Sequence, residues 1–180
     1  VLFLHIIITN MKITINDIMI TFFGICYIVL FTMFIPMIKG MENGTILIWY
    51  IFTSAWGTDT LAYIIGKKFG KHKFSKVSPK KSIEGAIGGV VGAAVLGALY
   101  ATLINRFATG ADAGVIQYAL ICGMGGVISQ VGDLAASAIK RNHDIKDYGK
   151  LIPGHGGILD RFDSVIITAP IIYYMAIALM

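Results

Sequence analysis

Charge and cysteine are both scarce in this sequence, and each shortage excludes something. Only 14% of the 180 residues are Asp, Glu, Lys or Arg, well short of the roughly 25% typical of a soluble globular domain. The two cysteines, Cys26 and Cys122, stand alone in separate apolar stretches. Neither CxxC spacing nor a histidine cluster accompanies them, so they read as packing residues rather than a metal site or disulfide frame. No basic segment followed by a small-residue cleavage site opens the sequence, so no secretory signal peptide is read. The sequon Asn43-Gly44-Thr45 matches a glycosylation acceptor, a triplet too common by chance to carry weight.

What is present is apolar. Hydrophobic residues make up 56% of the chain and the mean hydropathy is +0.76. Apolar runs at 14–37, 45–66, 84–105, 113–139 and 163–180 each approach the roughly 20 residues that a helix needs to cross about 30 Å of hydrocarbon. The expected fold is therefore an all-α integral membrane protein, a polytopic transmembrane helix bundle of about five spans. Residues 1–9, VLFLHIIIT, are too short to span and read as the tail of an earlier helix in a chain incomplete at its N-terminus.

The charges are concentrated. Seven lysines fall in GKKFGKHKFSKVSPKK (Gly66–Lys81), and five Lys/Arg lie between Lys140 and Arg161. By the positive-inside rule these two connections face the cytoplasm, and five alternating spans then close consistently, with the stretch around Lys12 inside. Asp59 stands seven residues before Gly66 and Asp133 seven before Lys140, each about 10 Å of helix below that face. An ionised carboxylate at such depth costs a few kcal/mol or more unless it is paired, bound to a cation or hydrated. A structural ion pair explains either aspartate alone; two at matching depth point to a polar cavity open to the cytoplasm.

Helical spacing adds to this. Asp133, Ser137 and Lys140 share one face at i, i+4 and i+7, as do Asp160 and Asp163 at i, i+3. Capping of a helix N-terminus accounts for the second pair, but not for Arg161, Lys140, Arg141, Lys146 and Asp147 nearby. Aspartates converging with many cations suit a substrate that carries phosphates and a hard divalent cation, since Mg²⁺ binds through one or two carboxylates plus substrate phosphates. Gly154, Gly156 and Gly157 let backbone N–H groups approach an anion. His155 either contacts a phosphate or transfers a proton, or else closes a turn after Pro153.

In SPKKSIEG (Ser78–Gly85), Ser82 is expected to cap a helix, presenting Lys80 and Lys81 to a phosphate, with Glu84 a first-turn acid. The lysine run as a whole also serves as a topology signal and an anchor to anionic lipid. GKKFGKH (Gly66–His72) is not a phosphate-binding P-loop, because one residue is missing between its glycines and His72 stands where the hydroxyl belongs. The glycines of Glu84–Ala101 repeat as Gly85–Gly89 and Gly88–Gly92, a spacing for close helix approach and a candidate homodimer surface.

Ser137–Asp163, SAIKRNHDIKDYGKLIPGHGGILDRFD, resembles the C-terminal signature of the phosphatidate cytidylyltransferases, or CDP-diacylglycerol synthases. That signature runs S-x-x-K-R, K-D, P-x-H-G-G, D-R-x-D, and every fixed position is filled, from Ser137 through Asp147 and Pro153 to Asp163. Asp59–Gly89 and Gln130–Arg141 are similar to the family as well, so the resemblance covers about residues 50–180. Ser82-Ile83 departs from the Thr-Trp common in the family.

The resemblance implies CTP + phosphatidate → CDP-diacylglycerol + pyrophosphate at the cytoplasmic face of what is expected to be a bacterial membrane. Residues 1–180 would then be the C-terminal catalytic part of a longer protein. It implies CTP and phosphatidate as partners, no nucleic acid, and Mg²⁺ with room for a second cation. Asp133 and Asp160 are first choices as cation ligands, and Asp163 and Asp59 second. Lys140, Arg141 and Arg161 would hold phosphates beside Ser137, with Lys80 and Lys81 closing from the other connection and Lys146, Asp147, Gly156 and Gly157 completing the site around His155. The rival reading is an ion-coupled transporter using the intramembrane aspartates; it requires a polar path to both faces, whereas the charges gather at one. The CDP-alcohol phosphotransferase pattern DGxxAR is absent.

Overall fold

The computed structural model describes residues 12, 14–74, 78–79, 81–107, 114–151 and 156–180. The described secondary structure is helical, with an isolated bridge pairing Lys73 with Ser82. Five helices of spanning length follow one another: α1 (Ile15–Lys39), α2 (Gly44–Phe69), α3 (Ile83–Phe107), α4 (Val115–Asn142) and α5 (Leu159–Leu179). At 1.5 Å per residue each reaches about 30 Å or more. Four of them, all but α2, are apolar enough as well as long enough to cross a membrane. The chain is an integral membrane protein.

α2 differs because it lies at the centre. It packs on α3, α4, α5 and the end of α1, and its Ser54 and Thr58 are fully buried. Without water, a buried polar side chain depends on partners inside the bundle, and Thr58 Oγ1 has none among the described residues. Ser54 Oγ donates to Tyr50 O at 2.6 Å and Tyr50 OH donates to Gly97 O at 3.0 Å. Part of the low hydropathy of α2 comes from Tyr50, Ser54 and Thr58, which are buried against protein.

Small residues set the distances between helices. The buried positions of α3 are Gly85, Gly89, Ala93, Gly97 and Ala101, one per turn on a single stripe. A side chain at Gly89 would stand 2.8 Å from Thr58 O of α2, and one at Gly97 would stand 2.6 Å from Cys122 Cβ of α4. Tight packing is thus what the glycine spacing serves, and the stripe is covered within the chain by α2 and α4. Cys26 and Cys122 are free thiols, as expected, and Cys122 is buried in the core beside Ile121 and Tyr118.

α1 is the outlier. A capping box starts it, with Asp17 N donating to Thr14 Oγ1 and Thr14 N to Asp17 Oδ2. It passes through a π-helical stretch at Cys26–Leu30 and ends as Phe34–Lys39. Its last part packs on α2 and α5, and from the π-helical stretch Tyr27 OH donates to Asp163 O of α5 at 3.4 Å.

The alternation brings the C-terminal ends of α2 and α4 and the N-terminal ends of α3 and α5 together, so the two basic connections share one end of the bundle. The first connection is folded back on itself. Phe74 N donates to Lys81 O at 2.9 Å and Ile83 N to His72 O at 3.0 Å. Ser82 caps α3 by accepting from Gly85 N at 3.1 Å, the role expected for it. Glu84 does more than complement a helix dipole, because its carboxylate accepts from Lys71 N at 3.1 Å, His72 N at 3.3 Å and His72 Nδ1 at 2.6 Å.

Candidate active site

At the charged end a cavity of about 590 Å³ opens between α2, α3 and α4. Asp59 of α2 and Asp133 of α4 both line it, together with Lys81, Lys67 and Gln130. The two acids expected at equal depth do share one cavity. Lys81 Nζ pairs with Asp133 Oδ2, and each side chain keeps 26% of its surface exposed. Ser164 of α5 lies within reach of the Asp59 carboxylate. Gln130 Nε2 donates to Ala86 O at 2.9 Å, tying α4 to α3 at the cavity wall.

A second cluster lies beside it and is much more enclosed. Lys140 Nζ is 2.8 Å from Asp160 Oδ1 and 4.0 Å from Asp163 Oδ2; the Lys140 and Asp160 side chains are 11% and 4% exposed. Asp160 Oδ2 also accepts from Tyr148 N at 2.8 Å and Gly157 N at 2.9 Å. One carboxylate thus holds α4, the connection and the start of α5 together. Gly156 has φ +84°, and a side chain there would stand 3.0 Å from Asp160 Oδ2. Position 156 therefore requires glycine both for its backbone angle and for its closeness to the carboxylate.

Tyr148 completes this cluster. Its ring centroid lies 5.1 Å from Lys140 Nζ, and its OH donates to Ala136 O at 3.2 Å. Burial, and next the charges of Asp163 and Asp160, push the phenol pKa above its ordinary value, so Tyr148 remains a protonated donor. Asp163 is buried and its Oδ1 accepts from Ser164 N at 2.8 Å. Asp133 lies within electrostatic reach of both Asp59 and Asp163, which links the open cavity to the enclosed cluster.

Asp59, Asp133, Lys81, Lys140, Asp160 and Asp163 are thus brought together, with Gly156 and Gly157 beside them. Ser137 is half-buried on the same α4 face, and Arg141, Lys146, Asp147 and Arg161 are exposed around it. The Arg161 carbonyl accepts from Trp56 Nε1 at 3.4 Å. Lys80 and His155 lie outside the described residues. Sequence reasoning missed Tyr148, Ser164 and Gln130. The signal for Tyr148 was an aromatic residue set directly after Lys146-Asp147 among glycines; for Gln130 it was a lone amide one turn before Asp133.

The carboxylates are hard oxygen donors of the kind that suit Mg²⁺. Among the described residues no three His, Cys, Asp or Glu side chains stand close enough to enclose an ion by themselves.

Comparison with known proteins bears on this geometry. The pattern of the cytidylyltransferase family matches residues 1–179. Among curated relatives, the phosphatidate cytidylyltransferase of Synechocystis sp. is 42% identical over 145 residues, which is 79% of this chain and 47% of the relative. The phosphatidate cytidylyltransferase of Bacillus subtilis is 38% identical over 155 residues, 86% of this chain and 54% of the relative. That of Thermotoga maritima is 34% identical over 152 residues, 83% and 56%. The chain spans about half the length of the relatives it matches.

Proposed function

The chain belongs to the cytidylyltransferase family, and from that premise we propose that it transfers the cytidylyl group of CTP to phosphatidate, giving CDP-diacylglycerol and pyrophosphate. The observation that carries this reading is the paired arrangement at one end of the bundle. An open cavity lined by Asp59, Asp133 and Lys81 adjoins the enclosed Lys140–Asp160–Asp163 cluster. One substrate is a lipid and the other is soluble, so a site at the end of membrane helices is reachable by both. The lysines of Gly66–Lys81 and the cations of 140–161 support a cytoplasmic orientation for that end.

In the reaction a phosphate oxygen of phosphatidate attacks the α-phosphorus of CTP. A new P–O bond forms, the bond to the β-phosphate bridge breaks, and pyrophosphate leaves. Lys81, in its partly exposed pair with Asp133, would exchange that partner for a substrate phosphate. Lys80, Arg141, Lys146 and Arg161 would hold the remaining phosphate oxygens from the rim, and Gly156 and Gly157, which carry no side chain, would let the triphosphate approach the backbone there, although the Gly157 N–H itself serves Asp160 Oδ2. Catalysis of such a transfer is chiefly positioning and charge compensation. Ser137 would hydrogen-bond within the site beside Asp147, and His155 would contact a phosphate or move a proton. Asp133, with Asp59 and Asp163 behind it, would hold Mg²⁺, which when bound offsets the triphosphate charge; Asp160, whose oxygens serve Lys140 Nζ, Tyr148 N and Gly157 N, would have to give up one of these donors to join it.

The test is pyrophosphate release by the purified full-length gene product given CTP, phosphatidate and Mg²⁺, with each omitted in turn. Release that needs all three is expected. Release without phosphatidate, or none from a folded full-length protein, overturns the reading.

A further inference from the structure

A second depression, of about 360 Å³, runs between α3 and α4 and is lined by apolar side chains, among them Ile87 and Val91 of α3 and Val127 and Val131 of α4. It shares two wall residues, Ala86 and Gln130, with the charged cavity. The two spaces are therefore neighbours across one bridge, the hydrogen bond from Gln130 Nε2 to Ala86 O. Phe74, from the folded-back connection, covers part of the apolar space, while Lys81 of the same connection lines the polar one. A backbone hydrogen bond from Phe74 N to Lys81 O holds them together. An ammonium on one side of this strap and an aromatic ring on the other match a molecule whose phosphate lies next to a hydrocarbon tail.

We propose that the groove between α3 and α4 receives one acyl chain of the phospholipid substrate, fixing its headgroup at the mouth of the Asp59–Asp133–Lys81 cavity. This rests on the lipid-substrate reading above. The groove does not gain affinity from hydrophobic transfer, because a tail that leaves the bilayer for the groove moves from one hydrocarbon environment to another. Its contribution is positional. It sets the depth and direction of the glycerol backbone, so that the phosphate arrives in reach of the reacting groups. Ala86 to Val91 on α3 descend about 7.5 Å from the charged end, placing the groove beneath the headgroup position rather than beside it.

The experiment uses the full-length protein in phosphatidylcholine vesicles and the variant Val127→Trp. Val127 is 40% exposed, so a larger side chain there fills the groove without entering the core. Leu103→Trp, on the lipid-facing surface of α3 away from the groove, is the control. With dioleoyl phosphatidate the KM of Val127→Trp should rise about fivefold or more. Its KM for CTP, and its turnover of dihexanoyl phosphatidate, whose tails are too short to need the groove, should stay at the wild-type values, and Leu103→Trp should match wild type throughout. Equal loss on long and short chains, or no change on either, overturns the proposal.

A second readout does not depend on turnover. Phosphatidate carrying a diazirine in its acyl chain should label the α3 and α4 peptides containing Ile87, Val91, Val127 and Val131, and unlabelled phosphatidate should compete where phosphatidylcholine does not. Label spread evenly over lipid-facing helix surfaces, or displaced equally by both lipids, marks ordinary bilayer contact and sinks the groove. A wild-type protein that makes no pyrophosphate overturns the reaction instead, and the labelling pattern still decides on the groove.

Discussion

Two lysine–carboxylate pairs, each with one member on the same face of α4, are built from the same chemistry and differ in enclosure. Lys140–Asp160 is almost out of contact with solvent, and its carboxylate also serves two backbone N–H groups. Lys81–Asp133 keeps a quarter of each side chain open and faces the cavity. A buried pair whose partners are all in place resists rearrangement, and removing one member leaves an uncompensated charge. A half-open pair is weak and can exchange either member for water or a ligand. The enclosed pair is suited to holding the connection before α5 in shape, and the open pair to receiving what enters.

The largest effect is therefore expected at the enclosed pair. Asp160→Asn should lower stability by about 3–5 kcal/mol, because Lys140 keeps its charge and the Asp160 carboxylate is lost. Turnover should vanish with it. Thermal unfolding in detergent, followed by the intrinsic fluorescence of the tryptophans and by the pyrophosphate assay, checks both. Unfolding unchanged from wild type would mean that Asp160 does not organise the connection.

Asp133→Asn should separate function from fold. Turnover is expected to fall roughly 100-fold or more, while stability changes by less than about 1 kcal/mol. A loss of stability as large as that of Asp160→Asn would erase the distinction between the pairs. Retained turnover would remove Asp133 from the chemistry.

Much of this was legible in the sequence, for identifiable reasons. Apolar run length gave the five helices, because hydrocarbon thickness admits few alternatives. Asp59 and Asp133 were assigned to one cavity from depth alone, which works when helices alternate in direction. The glycine repeat of α3 disclosed tight packing, but not that α2 and α4 would cover it. Hydropathy understates α2, since Ser54 and Thr58 are buried against protein, and no average over a window records which way a side chain faces. Asp160 read as a cation ligand, and its bonds to Tyr148 N and Gly157 N stayed hidden. They depend on the path of a twelve-residue stretch that carries no helical or strand period.

A smaller effect tests whether the open pair receives an anion. Lys81→Met removes one ammonium and frees Asp133, so the KM for anionic substrate should rise about tenfold. The dependence of KM on salt should flatten, because fewer charges are left to screen. Stability should stay near wild type. If KM and its salt dependence do not move, Lys81 serves Asp133 alone and the cavity draws its anion by other cations.

The smallest expected effect reaches the open pair through the strap. Glu84 accepts from Lys71 N, His72 N and His72 Nδ1, and two residues further along Phe74 N bonds Lys81 O. Glu84 touches neither Lys81 nor Asp133, so its influence on them is limited to where the strap sits. Glu84→Gln keeps an acceptor oxygen for one backbone N–H but loses the charge that holds the other donors. That loss falls on a surface connection, so global unfolding should be unaffected. KM for the lipid should rise about two- to threefold while kcat holds, since the strap sets the position of Lys81 and Phe74 but takes no part in the transfer. A fall in kcat with KM unchanged would place Glu84 nearer the reacting groups than its hydrogen bonds put it. The pair at Lys140–Asp160 has no such dependence on a surface strap, because its position is fixed by the helices and by the glycine turn.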